Sequence, residues 1–318
     1  MVQATECLVI GAGVTGLACA AALRDAGHDV LVLDKGRGIG GRMATRRVKL
    51  DHGEISFDHG AQYLRSDNPR FRAALTDAGA QHWPGDGNRD RLVGVPGMSA
   101  VPRRMAKGLS ILQSTEVTAL GRSDLGWRVH STGGEISARR VVLTIPAPQA
   151  RALLTAEGAS VADHLATVQM APCLTLMAAF PAGSPRPFIQ EPAPDAELSW
   201  IAQDNSKPGR AEGVVTWVAQ ASADFSARHL EQTPDRLVDL MLPLLAARIG
   251  GDPQLALYAA VHRWRYAQAV TPLGQPFLHV PDRSLYLGGD WCLGARAEHG
   301  FASGYAIAQD MAGQADVA

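Results

Sequence analysis

Three glycines and a carboxylate near the start of the chain have the types and spacing that hold a dinucleotide. Gly11, Gly13 and Gly16 follow directly on a short apolar run, and Asp34 comes after about the 20-residue interval expected of a ribose-binding acid. Glycine lets the backbone approach a pyrophosphate closely, and the N-terminus of the next helix offers it unpaired N–H groups. We predict a dinucleotide site formed by Gly11, Ala12, Gly13, Val14, Thr15, Gly16 and Asp34, with a purely structural glycine turn as the alternative.

A glycine-rich basic stretch, KGRGIGGRM at 35–43, follows Asp34 and separates flavin binders from nicotinamide binders. Arg42 can bind two phosphate oxygens with its planar guanidinium, and the neighbouring glycines allow a ligand close to the backbone. We therefore predict FAD as the cofactor, with Lys35, Gly41, Arg42 and Met43 among its contacts. The alternative is a solvated basic loop that binds nothing, or binds RNA by charge alone.

Apolar runs and glycines predict the elements that position these groups. Strands at 7–10 and 30–33 flank a helix that Gly27 ends with a positive φ, which indicates a parallel α/β unit. Strand-like runs between 110 and 145 predict a β-meander whose last, buried strand joins the same sheet and stops before Pro146.

The chain returns to this sheet near its end. A short strand at 285–289 leads to Asp290, and a helix is predicted from Gly300 onward. We therefore predict an α/β FAD-binding domain of the Rossmann-like type, discontinuous in sequence, made of residues 1–70, 95–155 and 280–318.

The remaining residues, 71–94 and 156–279, have a different pattern. Longer strands are predicted at 174–180, 198–203 and 213–219, followed by a helix at 233–249. Strands followed by helices indicate an α+β arrangement of mixed sheet and helices, which we predict to be a substrate domain carrying one wall of a pocket.

Further polar and small residues are expected around the flavin. Asp290 ends an apolar strand, where ligands of such sheets bind, and is expected to hydrogen-bond the ribityl or a nearby hydroxyl, with capping of a loop or helix as the alternative. The helix after Gly300 and Phe301 would direct N–H groups at the ring edge that gains negative charge on reduction. The turn at 59–61 can face the ring, or can be a surface hairpin with Tyr63 as a core filler. The remaining predicted cofactor contacts are His59, Gly60, Ala61 and Val117.

Composition excludes several classes of protein. With 46% hydrophobic and 19% charged residues the chain is neither disordered nor a coiled coil, and its 318 residues suffice for two cores. A net charge of −1 gives no global attraction to nucleic acid or anionic membranes. The four cysteines have no metal-ligand spacing, so no metal is expected, and they are predicted to be reduced. Neither a signal peptide nor a membrane span is apparent, so the cytoplasm is the expected location.

A set of motifs spread over nearly the whole chain resembles bacterial renalase-type FAD enzymes, within the monoamine-oxidase-like flavoproteins. The motifs are DKGRGIGGRMATRR, DHGAQYL, GMSAVPRRM, SWIAQDNSKPGR, HRWRYA and GDWCLGAR. One departure stands before the last helix, where such enzymes have Glu-Gly-Ala and this chain has Glu298, His299 and Gly300. It leaves the polar contacts at the pyrimidine edge of the flavin open.

The resemblance implies oxidation of 1,2- and 1,6-dihydro isomers of NAD(P) to NAD(P)+, with electrons passed to O2 to give hydrogen peroxide. A dihydropyridine is itself a hydride donor, so stacking and alignment are required and no protein base is expected. FAD is expected to be non-covalent, although Cys292 lies near the presumed ring. Candidate pocket residues, each of which could instead belong to the core, are Gln62, Tyr63, Trp200, Trp217, His262, Arg263, Trp264 and Trp291.

Two other functions remain open at the level of sequence. An amine oxidase would commonly use a lysine-held water near the flavin, and only Lys35, Lys49, Lys107 and Lys207 are present. A flavin-binding protein without turnover is the second alternative. Rapid reduction of the flavin by a substrate would separate an enzyme from a binding protein.

Overall fold

Two β-sheets of different kinds organise the chain in the computed structural model, which describes residues 3–51, 53–84, 90–124, 126–154, 159–193, 196–282 and 284–313. In chain order the strands are β1 (Gln3–Ile10), β2 (Val30–Leu33), β3 (Thr45–Leu50), β4 (Gly53–Asp58), β5 (Gln81–His82), β6 (Leu92–Val93), β7 (Ser110–Leu112), β8 (Val117–Ser123), β9 (Gly126–Ser131), β10 (Gly134–Leu143), β11 (Gln169–Pro181), β12 (Gln190–Pro192), β13 (Leu198–Gln203), β14 (Val214–Ala221), β15 (Tyr258–Thr271), β16 (Leu278–His279) and β17 (Leu285–Leu287).

Helices cover both sheets. They are α1 (Val14–Asp25), α2 (Pro69–Asp77), α3 (Ala100–Met105), α4 (Ala147–Leu153), α5 (Ala159–Ala166), α6 (Ala223–His229), α7 (Pro234–Ile249) and α8 (Ala297–Ala312). The local sequence explains the ends of α7: the Thr233 hydroxyl accepts from the Arg236 N–H, Pro234 occupies the first turn, and Gly250 ends the helix in the left-handed region.

The first sheet has eight strands and a parallel centre. Its main path is β16-β17-β10-β1-β2-β7, with β8 and β9 joined to the N-terminal half of β10. Strands β17, β10, β1, β2 and β7 run parallel, which buries β1 and β2 between helices as the apolar runs predict. The Rossmann-like unit and the meander that ends on a buried strand are confirmed.

The second sheet is antiparallel, with the order β12-β13-β14-β11-β15. The predicted strands and the long helix are present, which confirms a second part of mixed sheet and helices. Its longest strand, β15, is absent from the sequence-based prediction. The side chains of β15 explain this, because most of them are half-buried and the strand lacks the continuous apolar run of a buried strand.

The predicted domain boundaries stay predictions. The break near 155 falls at residues 155–158, outside the described part of the chain. Strand β16, just before the predicted break at 279/280, pairs with β17 in the first sheet. Residues 71–94 contribute most of α2 and the small sheet of β5 and β6.

Glycines bring the first and last helices into close contact. A Cβ at Gly304 on α8 would lie 2.0 Å from the carbonyl oxygen of Thr15 on α1. No side chain fits at that distance, so α1 and α8 pack backbone to backbone. Gly16 serves the glycine loop instead, since a Cβ there would lie 1.9 Å from the carbonyl oxygen of Gly11. Among the described helices, none combines the length and apolarity needed to cross a membrane.

Candidate functional site

The nucleotide end of the site lies at the start of α1. Both oxygens of Asp34 accept backbone N–H groups at 2.6 Å, from Ala12 and Gly36, so the carboxylate orders the glycine loop while keeping lone pairs for a ribose. No side chain caps α1, and a Cβ at Gly13 would meet nothing within 4 Å. An uncapped helix N-terminus facing open space fits the pyrophosphate of FAD.

Neighbouring chain completes this end of the site. The segment at 114–117 runs alongside Asp34 and Gly36, to which the N–H groups of Thr115 and Ser114 donate. Val117 therefore lies close to the ribose end of the predicted site and is itself buried in the core of the first sheet. Lys35 is exposed and lies 3.9 Å from Glu116, so it has a carboxylate neighbour on the surface.

Arg42 and Asp290 bind each other. The two terminal nitrogens of Arg42 donate to the two oxygens of Asp290 at 2.7 Å, and one also donates to the carbonyl of Ala267 at 2.8 Å. Each residue is therefore the other's main partner in this structure, and the contacts of Arg42 with phosphate and of Asp290 with a ribityl hydroxyl stay predictions. The pair joins the glycine-rich stretch to the end of the first sheet.

The turn at 58–63 rests on this stretch. A Cβ at Gly60 would lie 2.0 Å from the carbonyl oxygen of Arg42, and the same oxygen accepts from the Ala61 N–H at 2.8 Å. Met43, at the end of a single 3-10 turn, is 3% exposed and packs beside the turn. His59, Gly60 and Ala61 are thereby placed next to the residues predicted to hold the cofactor.

Four side chains of the second sheet form a row opposite that turn, here called the ladder. Trp200 on β13 pairs with Gln220 on β14, Gln220 with Thr175 on β11, and Thr175 with His262 on β15. Directly paired residues share a face, so the row crosses four strands on one side of the sheet. Gln220 donates to the Gly60 carbonyl at 2.8 Å, which fixes the ladder against the turn.

Aromatic rings close the His262 end of the ladder. Trp264 donates from Nε1 to the His59 carbonyl at 2.7 Å and stacks on the His59 ring with 5.3 Å between centroids. The His262 ring lies 4.7 Å from that of His59 and 4.2 Å from that of Trp264. Burial lowers the pKa of His59 and of His262 to about 4, so both imidazoles are neutral near pH 7.

Two buried polar atoms on this wall lack a partner. Nδ1 of His59 and Nε1 of Trp200 are each covered from solvent without a hydrogen bond. Leaving such groups unpaired is costly in a folded protein, and a bound ligand is one way to satisfy them. Together with the open helix N-terminus, these atoms make the residues present a good fit for a flavin and a planar polar substrate.

A second group of charged residues, here called the quartet, lies behind the turn. Asp58, Asp204, Lys207 and Arg210 all have side chains that are 0 or 1% exposed. Lys207 Nζ donates to Asp204 at 2.7 Å, and to Asp58 and Gln62 at 3.3 Å. Arg210 pairs with both aspartates. Two negative and two positive charges thus compensate each other inside the protein.

The sequence-based prediction missed the quartet, although its members stand in two of the motifs, DHGAQYL and SWIAQDNSKPGR. The available signal was Asp58, a carboxylate next to Phe57 at the end of a strand, since a charge buried there needs a partner. Gln62, predicted for the pocket, has its amide nitrogen bound to the carbonyls of Asp58 and Gly60 and its oxygen bound to Lys207. It therefore orders the turn.

Three predicted pocket residues lie elsewhere. Trp217 is 0% exposed and packs on the opposite face of the second sheet, in the core beneath α7. Arg263 alternates with His262 along β15, so it points to that same opposite face, where it donates to the Gln232 carbonyl. Trp291 is buried in the core of the first sheet and donates to the Ile145 carbonyl at 3.1 Å. Strand alternation and core packing decide the directions of these three side chains, and their roles in a pocket stay predictions.

The last helix begins earlier than predicted. Helix α8 starts at Ala297, so Gly300 lies within it and donates to the Arg296 carbonyl. Phe301 packs on Phe71, with 5.2 Å between ring centroids. A Cβ at Gly300 would lie 2.8 Å from the hydroxyl of Thr15, so this glycine serves close helix packing. The predicted start of the helix at Gly300 is therefore three residues late, and the contacts of Gly300 and Phe301 with the flavin stay predictions.

Glu298, which matches the glutamate of Glu-Gly-Ala and precedes the departure at His299 and Gly300, has a structural role. Glu298 is 5% exposed and accepts from the N–H groups of Asp67 and Asn68 at 2.8 and 3.2 Å. It also lies 2.9 Å from Arg296. The carboxylate therefore fastens the start of α8 to the loop before α2.

The four cysteines have the burial that is typical of structural, unreactive thiols. All four thiols are buried and free, and burial raises the pKa of Cys292 to about 12, which disfavours the thiolate that a covalent flavin bond would need. Away from the site, Glu6, Cys7 and His28 bring possible metal-ligand atoms within 4.8 Å of one another. The Glu6 carboxylate there accepts from Arg140 at 2.8 Å, so its charge is already compensated.

Comparisons with known proteins agree with the geometry. Residues 9–78 match the family model described as NAD(P)-binding Rossmann-like domain, and residues 80–312 match that of flavin containing amine oxidoreductase. Renalase of Mus musculus is 28% identical over 323 residues, which cover 89% of this chain and 92% of that protein.

Solved structures show the same fold. Cyclohexylamine oxidase from Brevibacterium oxydans IH-35A superposes with a TM-score of 0.72 at 15% identity, covering 98% of this chain and 99% of the other. Putrescine oxidase with bound putrescine gives a TM-score of 0.68 at 13% identity, covering 100% of both chains. The chain belongs to the flavin-containing amine oxidoreductase family and is an FAD-dependent oxidoreductase of the renalase type.

Proposed function

We propose that the chain oxidises 1,2- and 1,6-dihydro isomers of NAD(P) to NAD(P)+ with O2 as the electron acceptor. The reaction balances as dihydro-NAD(P) + H+ + O2 giving NAD(P)+ + H2O2. FAD, when bound, supplies the hydride acceptor and passes the electron pair to O2.

The observation that carries this proposal is the ladder and the uncharged rings at its end. The rings of His59, His262 and Trp264 form a neutral aromatic wall, in which the His59 and Trp264 rings stack and the His262 ring stands edge-on to that of His59. A dihydronicotinamide is planar and uncharged, and becomes an aromatic cation when it gives up hydride. Such a donor needs alignment and exclusion of water, which this wall supplies, and no proton has to leave its ring carbon to a base.

The neutral imidazoles also suit the amide of nicotinamide. Because the pKa values of His59 and His262 are lowered to about 4, each ring keeps one nitrogen as donor and one as acceptor near pH 7. The unpaired Nδ1 of His59 remains available for a carboxamide or for the flavin edge.

The hydrogen-bond partners and the exposure of the lysines in this chain weaken the amine oxidase alternative. Lys207 approaches the turn, but its three donors are taken by Asp58, Asp204 and Gln62, so it has none left for a water molecule. Lys35 pairs loosely with Glu116 on the surface, and Lys107 is exposed. Non-covalent FAD is part of the proposal, since the Cys292 thiol is buried and protonated.

Anaerobic stopped-flow absorbance of the purified flavoprotein tests the proposal. The protein is mixed in turn with 1,6-dihydro-NAD, 1,4-NADH and a panel of amines that includes putrescine and cyclohexylamine. Fast loss of the oxidised flavin band with 1,6-dihydro-NAD alone is the expected result, and admission of O2 should then give one H2O2 per donor oxidised. Bleaching by an amine alone would replace the proposal with amine oxidation, and no bleaching by any donor would favour a binding protein.

A further inference from the structure

We propose that Arg65, with Tyr63, Arg91 and Trp200, forms a subsite for the phosphate groups of the dinucleotide donor. These four residues are called the arginine–aromatic cluster below. The inference rests on the proposed function, because it names the part of that substrate which the subsite would bind.

The cluster lies at the open end of the ladder. The Tyr63 ring is 5.7 Å from that of Trp200, the first residue of the ladder. The guanidinium carbons of Arg65 and Arg91 lie 5.4 and 4.6 Å from the centre of the Tyr63 ring, and Arg91 is also 5.3 Å from Trp200. Two guanidinium groups thus share one aromatic ring, which helps to hold both in place.

Arg65 lacks a counter-charge among the residues that the structure describes. No carboxylate there forms an ion pair with it, and its Nε is buried without a hydrogen-bond partner. The arginine of the quartet, by contrast, touches two aspartates. A guanidinium held next to a second one, with donors unspent, is the arrangement that binds phosphate oxygens.

The position of the cluster matches the shape of the donor. Strands lie about 4.8 Å apart, so the three steps from His262 to Trp200 span roughly 14 Å. A nicotinamide ring placed at the neutral His262 end would leave its ribose and phosphates to extend along the ladder. The anionic part of the molecule then reaches Tyr63 and Arg65 instead of the buried imidazoles.

The test compares donors that differ only in phosphate. Wild type, Arg65→Gln and Arg65→Lys holoenzymes are reduced anaerobically with 1,6-dihydro-NAD, with 1,6-dihydronicotinamide mononucleotide and with N-methyl-1,6-dihydronicotinamide, which has no phosphate. Arg70→Gln is the matched control, because Arg70 stacks in the same way on Tyr305, 4.6 Å from its ring centre. Apparent Kd and limiting reduction rate are read separately for each donor.

We expect Arg65→Gln to raise the apparent Kd of the dinucleotide about 10-fold or more through loss of charge-assisted hydrogen bonds, with an unchanged limiting rate. The phosphate-free donor should bind all variants equally, and Arg65→Lys should recover part of the loss. An equal loss for the phosphate-free donor would mean a structural role and would overturn the subsite, as would no loss for the dinucleotide.

A second measurement separates this inference from the proposed function. Calorimetric binding of inorganic pyrophosphate to the holoenzyme needs no turnover, so it remains decisive if no dihydronicotinamide reduces the wild-type flavin. Weaker binding to Arg65→Gln than to wild type supports the subsite even then. Equal binding, or no binding to wild type, overturns it while leaving the oxidation of dihydronicotinamides to be judged by the reduction experiment alone.

Discussion

The quartet and the ladder lie on either side of the same turn, and they treat polar groups in opposite ways. In the quartet every charge has a partner of opposite sign, and all four side chains are sealed from water. Along the ladder and the His59 ring at its end the groups are neutral, and Nδ1 of His59 and Nε1 of Trp200 are left unpaired. The two regions are directly connected in the chain, because Asp58 and His59 are consecutive residues.

The difference shows how the fold separates positioning from binding. A buried network of compensated charges tolerates little rearrangement, because moving one side chain leaves its partner buried without an opposite charge. It therefore fixes the turn that carries His59 and Gly60. The unpaired atoms on the other side cost stability in the free protein and are available for a ligand.

Breaking the quartet should give the largest effect. Lys207→Met leaves two aspartates to share Arg210, and we expect the free energy of unfolding to fall by about 3 to 5 kcal/mol, as for other buried pairs that lose one partner. Chemical unfolding of the flavoprotein in urea measures this. Lys107→Met, which alters an exposed lysine, is the control and should change little.

A double variant shows whether charge is the reason. Adding Asp204→Asn to Lys207→Met leaves one negative charge, on Asp58, and one positive charge, on Arg210. The double variant should therefore be more stable than Lys207→Met alone. A double variant less stable than the single one would mean that shape, and not charge, governs the quartet.

The Arg42–Asp290 pair lies between the two extremes, with side chains 33% and 8% exposed. Arg42→Ala removes the bidentate partner of Asp290 and one support of the glycine-rich stretch, so FAD affinity should fall about 10-fold or more. The ratio of flavin to protein after gel filtration, together with FAD titration of the apoprotein, measures the loss. Arg104→Ala breaks an equally bidentate but exposed pair with Asp77 and should leave flavin content unchanged. Full flavin content in Arg42→Ala would contradict a role of the Arg42–Asp290 pair in holding FAD.

Lowering the pH should reduce the stability of the protein through His59 and His262, by less than the substitutions above. The pKa values of His59 and His262 are lowered from 6.5 to about 4 in the folded protein, so the unfolded chain takes up these protons first. Their contribution to stability is present above about pH 6.5 and is lost as the pH falls towards 4. The urea midpoint should therefore drop from pH 7 to pH 5, and less steeply in His59→Asn or His262→Asn. His130→Asn, an exposed histidine, should follow wild type; identical slopes in all four proteins would contradict buried neutral imidazoles.

Local signals in the sequence carried much of the fold. The strand, glycine and helix pattern of β1, α1 and β2 is correct because each step depends on neighbouring residues, and Gly27 has the predicted positive φ of 91°. Strand β13 matches its predicted range because its apolar run is sharply bounded. Strand β15 was missed because its residues alternate between the ladder and an opposite face that carries charged arginines, so the apolar signal is diluted.

The site was harder to predict because it depends on contacts far apart in the chain. Arg42 and Asp290 were each predicted to bind the cofactor, but their mutual pairing joins residues 248 positions apart. Trp200 and Trp217 looked equivalent as aromatic residues of one domain, and only the register of β13 and β14 puts them on opposite faces. Thr175 and Gln220 gave no signal of their own, since ordinary strand residues become a ladder only through pairing.

The close packing of α1 against α8 has a consequence for the order in which the protein is made. The five-stranded sheet comes from one stretch, Gln169–Thr271, and can form as soon as that stretch has left the ribosome. The glycine loop and α1 are synthesised near the beginning, but Gly304 and the strand beside β10 arrive almost 300 residues later. At a synthesis rate of about 5 to 20 residues per second, roughly 15 to 60 seconds pass between the synthesis of α1 and that of α8. The half of the protein that is synthesised first is therefore the half that is completed last.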